Sequence, residues 1–152
     1  MGGVLTLGGL SFSLLGLAVV LALPVFVYLT SEHWPPPYQA QAVGALRVLD
    51  AALAEYQRAH PERGFARSLE ELGPNGAKLI DGELAAGRSK GYLLSYRPGP
   101  PDAKGVVTTY SITARPVKYG VTGHIGFYTD QSGVRRFAPD DREPTAQDQP
   151  LQ

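Results

Sequence analysis

The stretch from Gly91 to Phe137, GYLLSYRPGPPDAKGVVTTYSITARPVKYGVTGHIGFYTDQSGVRRF, decides the fold. Its side chains alternate instead of recurring at helical spacing. Tyr92, Leu94 and Tyr96 point one way, with Ser95 and Arg97 the other. Pro98 to Pro101 and Asp102 to Gly105 read as a loop. Thr108, Tyr110, Ile112 and Ala114 then alternate with Thr109, Ser111, Thr113 and Arg115 until Pro116 ends the strand. Gly120 to Gly123 form a turn, and Ile125 and Phe127 face inward on a third strand, Gly123 to Thr129. Asp130-Gln131-Ser132-Gly133 has the chemistry of a hairpin turn and leads into a short fourth strand, Val134 to Phe137. Four strands with short links and no intervening helix predict an antiparallel meander.

Such a sheet needs something to cover one face, and the sequence supplies one helix for it. From Tyr38 to Ala59, the residues Ala42, Leu46, Leu49, Leu53 and Tyr56 recur at helical spacing and make one apolar stripe. Arg47, Asp50, Glu55 and Arg58 lie off the stripe and are expected to face water, and Pro61 stops the helix at His60. Each stripe leucine contributes roughly 1.5–3 kcal/mol when fully buried, so the helix requires a partner surface. Helix on sheet is the smallest two-layer arrangement that provides it. Between them, Ser68-Leu69-Glu70-Glu71 has the form of a capping box and predicts one helical turn stopped at Gly73-Pro74. Lys78 to Ala86 predicts another turn, stopped by Gly87.

The chain has 152 residues, with 14 basic and 14 acidic side chains and no cysteine. The zero net charge gives no support to nucleic-acid binding. The absence of cysteine excludes disulfide scaffolds, thiolate zinc sites, iron–sulfur clusters, thiol chemistry and a cysteine-linked lipid anchor. No charge occurs from Met1 to Ser31. Within that region Val4 to Leu29, VLTLGGLSFSLLGLAVVLALPVFVYL, holds 16 Leu, Val or Phe residues among 26. As a helix it would reach about 39 Å, against a hydrocarbon core of about 30 Å.

A retained single-pass anchor over residues 1–31 is therefore expected, with Tyr28 and Trp34 as an interfacial belt. The apolar run is longer than a secretory signal's core, and no Lys or Arg precedes it. Gly9, Ser13 and Gly16 share one helical face that suits close helix packing. Residues 32–37, Glu-His-Trp-Pro-Pro-Pro, read as a Pro-rich linker, 38–138 as an α+β head, and the polar, Pro- and Gln-containing stretch 139–152 as a disordered tail.

The order of apolar segment, amphipathic helix, irregular segment and antiparallel sheet resembles type IV pilins and type II secretion pseudopilins. The resemblance is carried by Ala45-Leu46 through Leu53 and Tyr56, by Gly91-Tyr92 opening a strand, by Tyr110 to Pro116, by Gly120 to Gly123, and by Phe127 to Arg135. It covers Tyr38 to Phe137. It implies an α+β fold: an N-terminal transmembrane helix, then a pilin-like head with one amphipathic helix packed on a four-stranded antiparallel sheet.

The implied function is that of a non-enzymatic, membrane-anchored structural or assembly component of a pilus or type II secretion-like system. It implies residence in a bacterial inner membrane with the head extracytoplasmic. The partners implied are the lipid bilayer, other pilin-like subunits and assembly proteins, with no nucleic acid and no cofactor. The family's basic leader and N-terminal glutamate are not matched: Gly9 is followed by Leu10-Ser11-Phe12-Ser13-Leu14-Leu15, and the first carboxylate is Glu32. That departure motivates an alternative, a membrane-tethered extracytoplasmic binding or sensing module with a pilin-like head that does not enter filaments.

No residue stands out as catalytic, cofactor-binding or metal-ligating. Gly87-Arg88-Ser89-Lys90-Gly91 matches Gly-x-Ser-x-Gly, but a nucleophile elbow needs a strand before the serine and a helix after it, and the order here is reversed. His33, His60 and His124 are isolated. Asp130, Ser132 and Gly133 lack the alternating acids and terminal Glu of a calcium loop. Asp140, Asp141 and Glu143 could supply oxygen ligands, as C-terminal loops do in some pseudopilins, but read more simply as a solvated acidic tail.

Overall fold

A computed structural model describes residues 37–151 of the chain. The expected anchor 1–31, its belt residues and small-residue face, and residues 32–36 of the linker lie outside the described residues.

Helix α1 spans Pro37–Ala59. Its first residue is the last proline of the triplet, where the absent N–H has no helical acceptor to miss. The predicted stripe is the buried one: Ala42, Leu46, Leu49, Leu53 and Tyr56 are all buried, joined by Ala45 and Ala52. A 3₁₀ turn, Glu70–Leu72, and a one-turn helix α2, Gly82–Ala85, follow. Asp81 caps α2 by accepting from the Leu84 N–H at 2.9 Å. The expected capping box at Ser68 does not form as such. Leu69 occupies the cap position without a side-chain bond, and Glu71 is used elsewhere.

The sheet runs β1 Arg88–Ser89, β2 Tyr92–Pro98, β3 Tyr110–Pro116, β4 Gly126–Asp130, β5 Arg136–Ala138 and β6 Gln149–Pro150, each antiparallel to its sequence neighbour. The register places Leu94 opposite Ala114, Tyr96 opposite Ile112, Ile112 opposite Thr129 and Phe127 opposite Phe137. One face therefore presents Tyr92, Leu94, Ile112, Ala114 and Phe127 to the α1 stripe, and these residues form a single buried cluster with it.

The expected fold class, a transmembrane helix followed by a head with a four-stranded sheet, is corrected here. The sheet has six strands, and among the described residues no helix is long and apolar enough to cross a membrane. The four predicted strands are the central ones. The two additional strands are two residues each, too short to carry a visible alternation, and β6 contains a proline that only an edge strand tolerates. Two-residue edges, one of them bearing a proline, discourage sheet-to-sheet association.

The third strand also starts later than expected, at Gly126. Gly123 lies beneath the Tyr92 ring: a Cβ there would stand 2.2 Å from the Tyr92 hydroxyl oxygen, which donates to the Ile125 carbonyl at 2.9 Å. Burial pushes the Tyr92 hydroxyl up to about 12, so it stays a donor throughout the physiological range.

The segment after Pro139, expected to be disordered, is instead latched across the outer face of the sheet. Pro144 is fully buried, packed over Gly126. Glu143 accepts from the Thr113 hydroxyl at 3.0 Å, and Asp141 pairs with Arg115 at 2.7 Å. Asp148 accepts from both terminal nitrogens of Arg142 and from the Thr145 N–H at 2.7 Å, while β6 pairs with β5. A polar composition suggests disorder only when the polar groups have water as their best partner. Here the sheet's own arginines compete successfully.

Two outcomes follow from this packing. Gly123→Ala lowers stability by about 1–3 kcal/mol, read from thermal unfolding, because the added methyl displaces the Tyr92 ring. The bond from Arg142 holds the Asp148 carboxyl down to about 2, below its ordinary 3.8. A carboxyl depressed by folding adds stability above its unfolded value and loses it as pH falls through the folded one. The protection factor of the Thr145 amide should therefore fall between about pH 4 and pH 2, ahead of those in β3; simultaneous loss in both would contradict a separately latched tail.

Candidate interaction surface

Three polar arrangements lie around the core, each organised by one carboxylate or one groove. The first is at the helix–sheet boundary. Asp50, expected to face water from α1, is turned toward the sheet. It accepts from the Tyr110 hydroxyl at 3.1 Å, the Thr129 hydroxyl at 3.3 Å and the Arg135 guanidinium at 3.1 Å. The Asp50 and Arg135 side chains are only 13% and 27% exposed. Burial raises the Asp50 pKa despite these donors, and it raises that of Tyr110 as well, with Asp50 adding to the effect. Arg135 Nε is buried without a hydrogen-bond partner among the described residues. Every donor to Asp50 belongs to the sheet or to the turn after β4, so the cluster joins the two layers.

The second arrangement closes the far end of α1. Glu71 accepts from the Tyr56 hydroxyl at 3.0 Å, from Arg63 at 3.4 Å and from the Arg67 N–H at 3.2 Å. The Arg63 guanidinium stands 5.8 Å from the Tyr56 ring centre, and the His60 ring packs against the same tyrosine at 4.5 Å. Burial, with Glu71 beside it, raises the Tyr56 pKa. The tyrosine that ends the helical stripe is thus the anchor for the irregular segment that follows.

The third is a groove of about 490 Å³ beside the start of α1, lined by Gln41, Leu84, Arg88, Lys90, Leu93 and Val117 among others. It is open to solvent and mixed in character. The Gly-x-Ser-x-Gly serine, Ser89, lies on β1 at its edge, flanked by Gly87 and Gly91 with positive φ of 71° and 74°. Those glycines shape a turn between short elements; Ser89 does not sit between a strand and a helix in the order an elbow requires.

The remaining candidates are dispersed. His60 packs on Tyr56 and His124 on Tyr119, while His33 lies outside the described residues. Asp130 is engaged within its own turn, accepting from the Ser132 N–H at 2.9 Å and the Tyr128 hydroxyl at 3.2 Å. Asp140, Asp141 and Glu143 are divided among Arg142, Arg115 and Arg97. Among the described residues, no group of three or more His, Asp or Glu is arranged to hold a metal ion. Sequence reasoning missed the Asp50 cluster. The available signal was a lone acid on the flank of an otherwise apolar stripe, with an arginine after the β4 turn to meet it.

No protein-family model, curated protein or solved structure matches this chain.

The Asp50 cluster makes a prediction that separates a polar lock from a surface ion pair. Asp50→Ala and Arg135→Met each lower stability by about 2–3 kcal/mol in denaturant unfolding, because each strands a partly buried charge. The double variant Asp50→Ala with Arg135→Met loses less than the sum of the two single changes. Strict additivity would show that the two side chains act independently.

Proposed function

We propose that the protein is a non-enzymatic, membrane-anchored, pilin-like subunit, a structural or assembly component of a pilus or type II secretion-like system. The observation that carries this reading is the layout of the head. One long helix buries a single stripe on an antiparallel sheet, and its first residue continues directly from a Pro-rich segment and the apolar stretch Val4 to Leu29. In such an arrangement the helix is a layer of the head, and the head offers surfaces to neighbouring subunits.

A second reading has its own observation. With the first carboxylate at Glu32, the charge that registers a subunit within a pilin filament is absent from the apolar stretch. A tethered extracytoplasmic binding or sensing module that stays out of filaments fits that departure.

The two separate in one measurement. Detergent-extracted protein from the native membrane is analysed by intact mass. Shortening at Gly2, Gly3 or Gly9 is the outcome expected of a processed, filament-competent subunit. An unshortened chain in the membrane fraction favours the tethered module, and recovery without detergent contradicts both.

A further inference from the structure

We infer that the end of the sheet at which α1 begins is a lipid-facing surface, built to rest on an anionic bilayer. This deepens the membrane-anchored reading above and rests on it.

The end is defined by the topology. Tyr38 on the first turn of α1, the turn before β2 at Gly91, and the β3–β4 loop lie together. A Cβ at Gly91 would stand 3.0 Å from Tyr38 and 3.2 Å from Thr122, and the Val117 N–H donates to the Gly91 carbonyl at 2.9 Å. Of the eight large hydrophobic side chains exposed among the described residues, five are here: Tyr38, Leu93, Val117, Tyr119 and Val121. Leu93 is 52%, Val117 58% and Val121 62% exposed. Leu93 and Val117 line the 490 Å³ groove together and share the neighbouring one with Tyr119, so these three are contiguous. A concentration of exposed apolar residues at one place marks a site of contact.

Among the described residues, the cations left without an acid at this end are Lys90 and Lys118, although Asp81, Glu83, Asp141 and Glu143 also line its two grooves. No Asp or Glu occurs from Tyr38 to Leu49, from Leu84 to Pro101 or from Ala103 to Thr129. Of the acids lining the two grooves, Glu83 pairs with Arg88, Asp141 with Arg115 and Glu143 with Arg97 and Arg115, while Asp81 caps α2. Lys90 and Lys118 make no ion pair among the described residues. Lysines beside tyrosines and aliphatic side chains match the interfacial zone of a bilayer: the rings and methyls enter the headgroup level, and the ammonium groups meet anionic phosphates. A symmetric contact with a second copy would bring two copies of these unpaired lysines into one interface, which disfavours that occupant.

The covalent chain selects the same end. Eight residue steps separate Leu29, the last residue of the apolar stretch, from Pro37. At about 3.6 Å per step they reach at most about 29 Å. If Leu29 lies at a lipid surface, the start of α1 is tied within that distance of it, and the opposite hairpin at Ser132 is not so constrained.

The test uses the full chain, whose lack of cysteine makes a single introduced thiol unique. Val121→Cys, and Ser132→Cys as the reference, are labelled with an environment-sensitive fluorophore. Each protein is reconstituted in vesicles of phosphatidylcholine alone or with phosphatidylglycerol added, and co-flotation is checked first. The expected result is a blue-shifted label at position 121, shielded from acrylamide, only in the anionic vesicles, with the label at 132 unchanged. Lys90→Glu with Lys118→Glu lowers the docked-to-free ratio about tenfold or more, while co-flotation and thermal unfolding remain as before. A chain that floats with vesicles while its 121 label stays aqueous in both lipids overturns this surface and leaves anchoring intact. Shielding that ignores lipid charge and appears with chain-to-chain crosslinks assigns the patch to a second copy instead, and also overturns it. Failure to float overturns anchoring and the surface together.

Discussion

The burial of one face of α1 on the inner face of the sheet is the interaction on which the rest of the head depends. Leu46, Leu49 and Leu53 have no accessible surface, and neither do Tyr92, Ile112 and Ala114 across from them. A helix or a meander alone would leave its apolar face in water, and together they make the head's single buried cluster. The irregular segment from His60 to Ala86 has little regular structure of its own. It is held by what it adds to that cluster, through Phe65, Ala66, Leu69, Leu72 and Ile80.

Apolar burial is tolerant of small slides between layers, whereas hydrogen bonds are not. Asp50 supplies the directional element. It sits on the flank of the stripe and collects donors from β3, β4 and the segment leading to β5, so a shift of α1 along the sheet would break several bonds to a partly buried carboxylate. Glu71 does the equivalent at the end of the helix, gathering Tyr56, Arg63 and the backbone of Arg67. Two carboxylates thus define how far α1 extends over the sheet and where the chain goes afterwards.

The two faces of the sheet are closed by different chemistry. Inside, the partner is apolar; outside, the C-terminal strap brings acids to Arg97 and Arg115 and a proline to the bare backbone of Gly126. Ends differ as well. One carries the internally paired Asp50 cluster, and the other gathers Lys90, Lys118 and the exposed Tyr38, Val117, Tyr119 and Val121. A domain that is internally ion-paired at one end and carries two unpaired lysines among exposed apolar side chains at the other is suited to being oriented at a boundary.

Much of this was legible from local pattern. The stripe of α1, its stop before Pro61 and the four central strands follow from spacing, because amphipathic periodicity is a property of neighbours along the chain. Strands β1 and β6 were not, since two residues carry no period and their pairing is made by the strand beside them. The role of Asp50 was equally hidden, as its arginine lies 85 residues away. Composition alone likewise suggested a loose tail, and only the fold revealed the arginines and the glycine-floored pit that hold it. The sequence by itself determined which residues seek burial and in what secondary structure, because that depends on side-chain chemistry and local spacing. The partners of the buried carboxylates, the latching of the tail and the gathering of cations and apolar side chains at one end were decided by the tertiary structure, because they depend on distances between residues that only folding brings together.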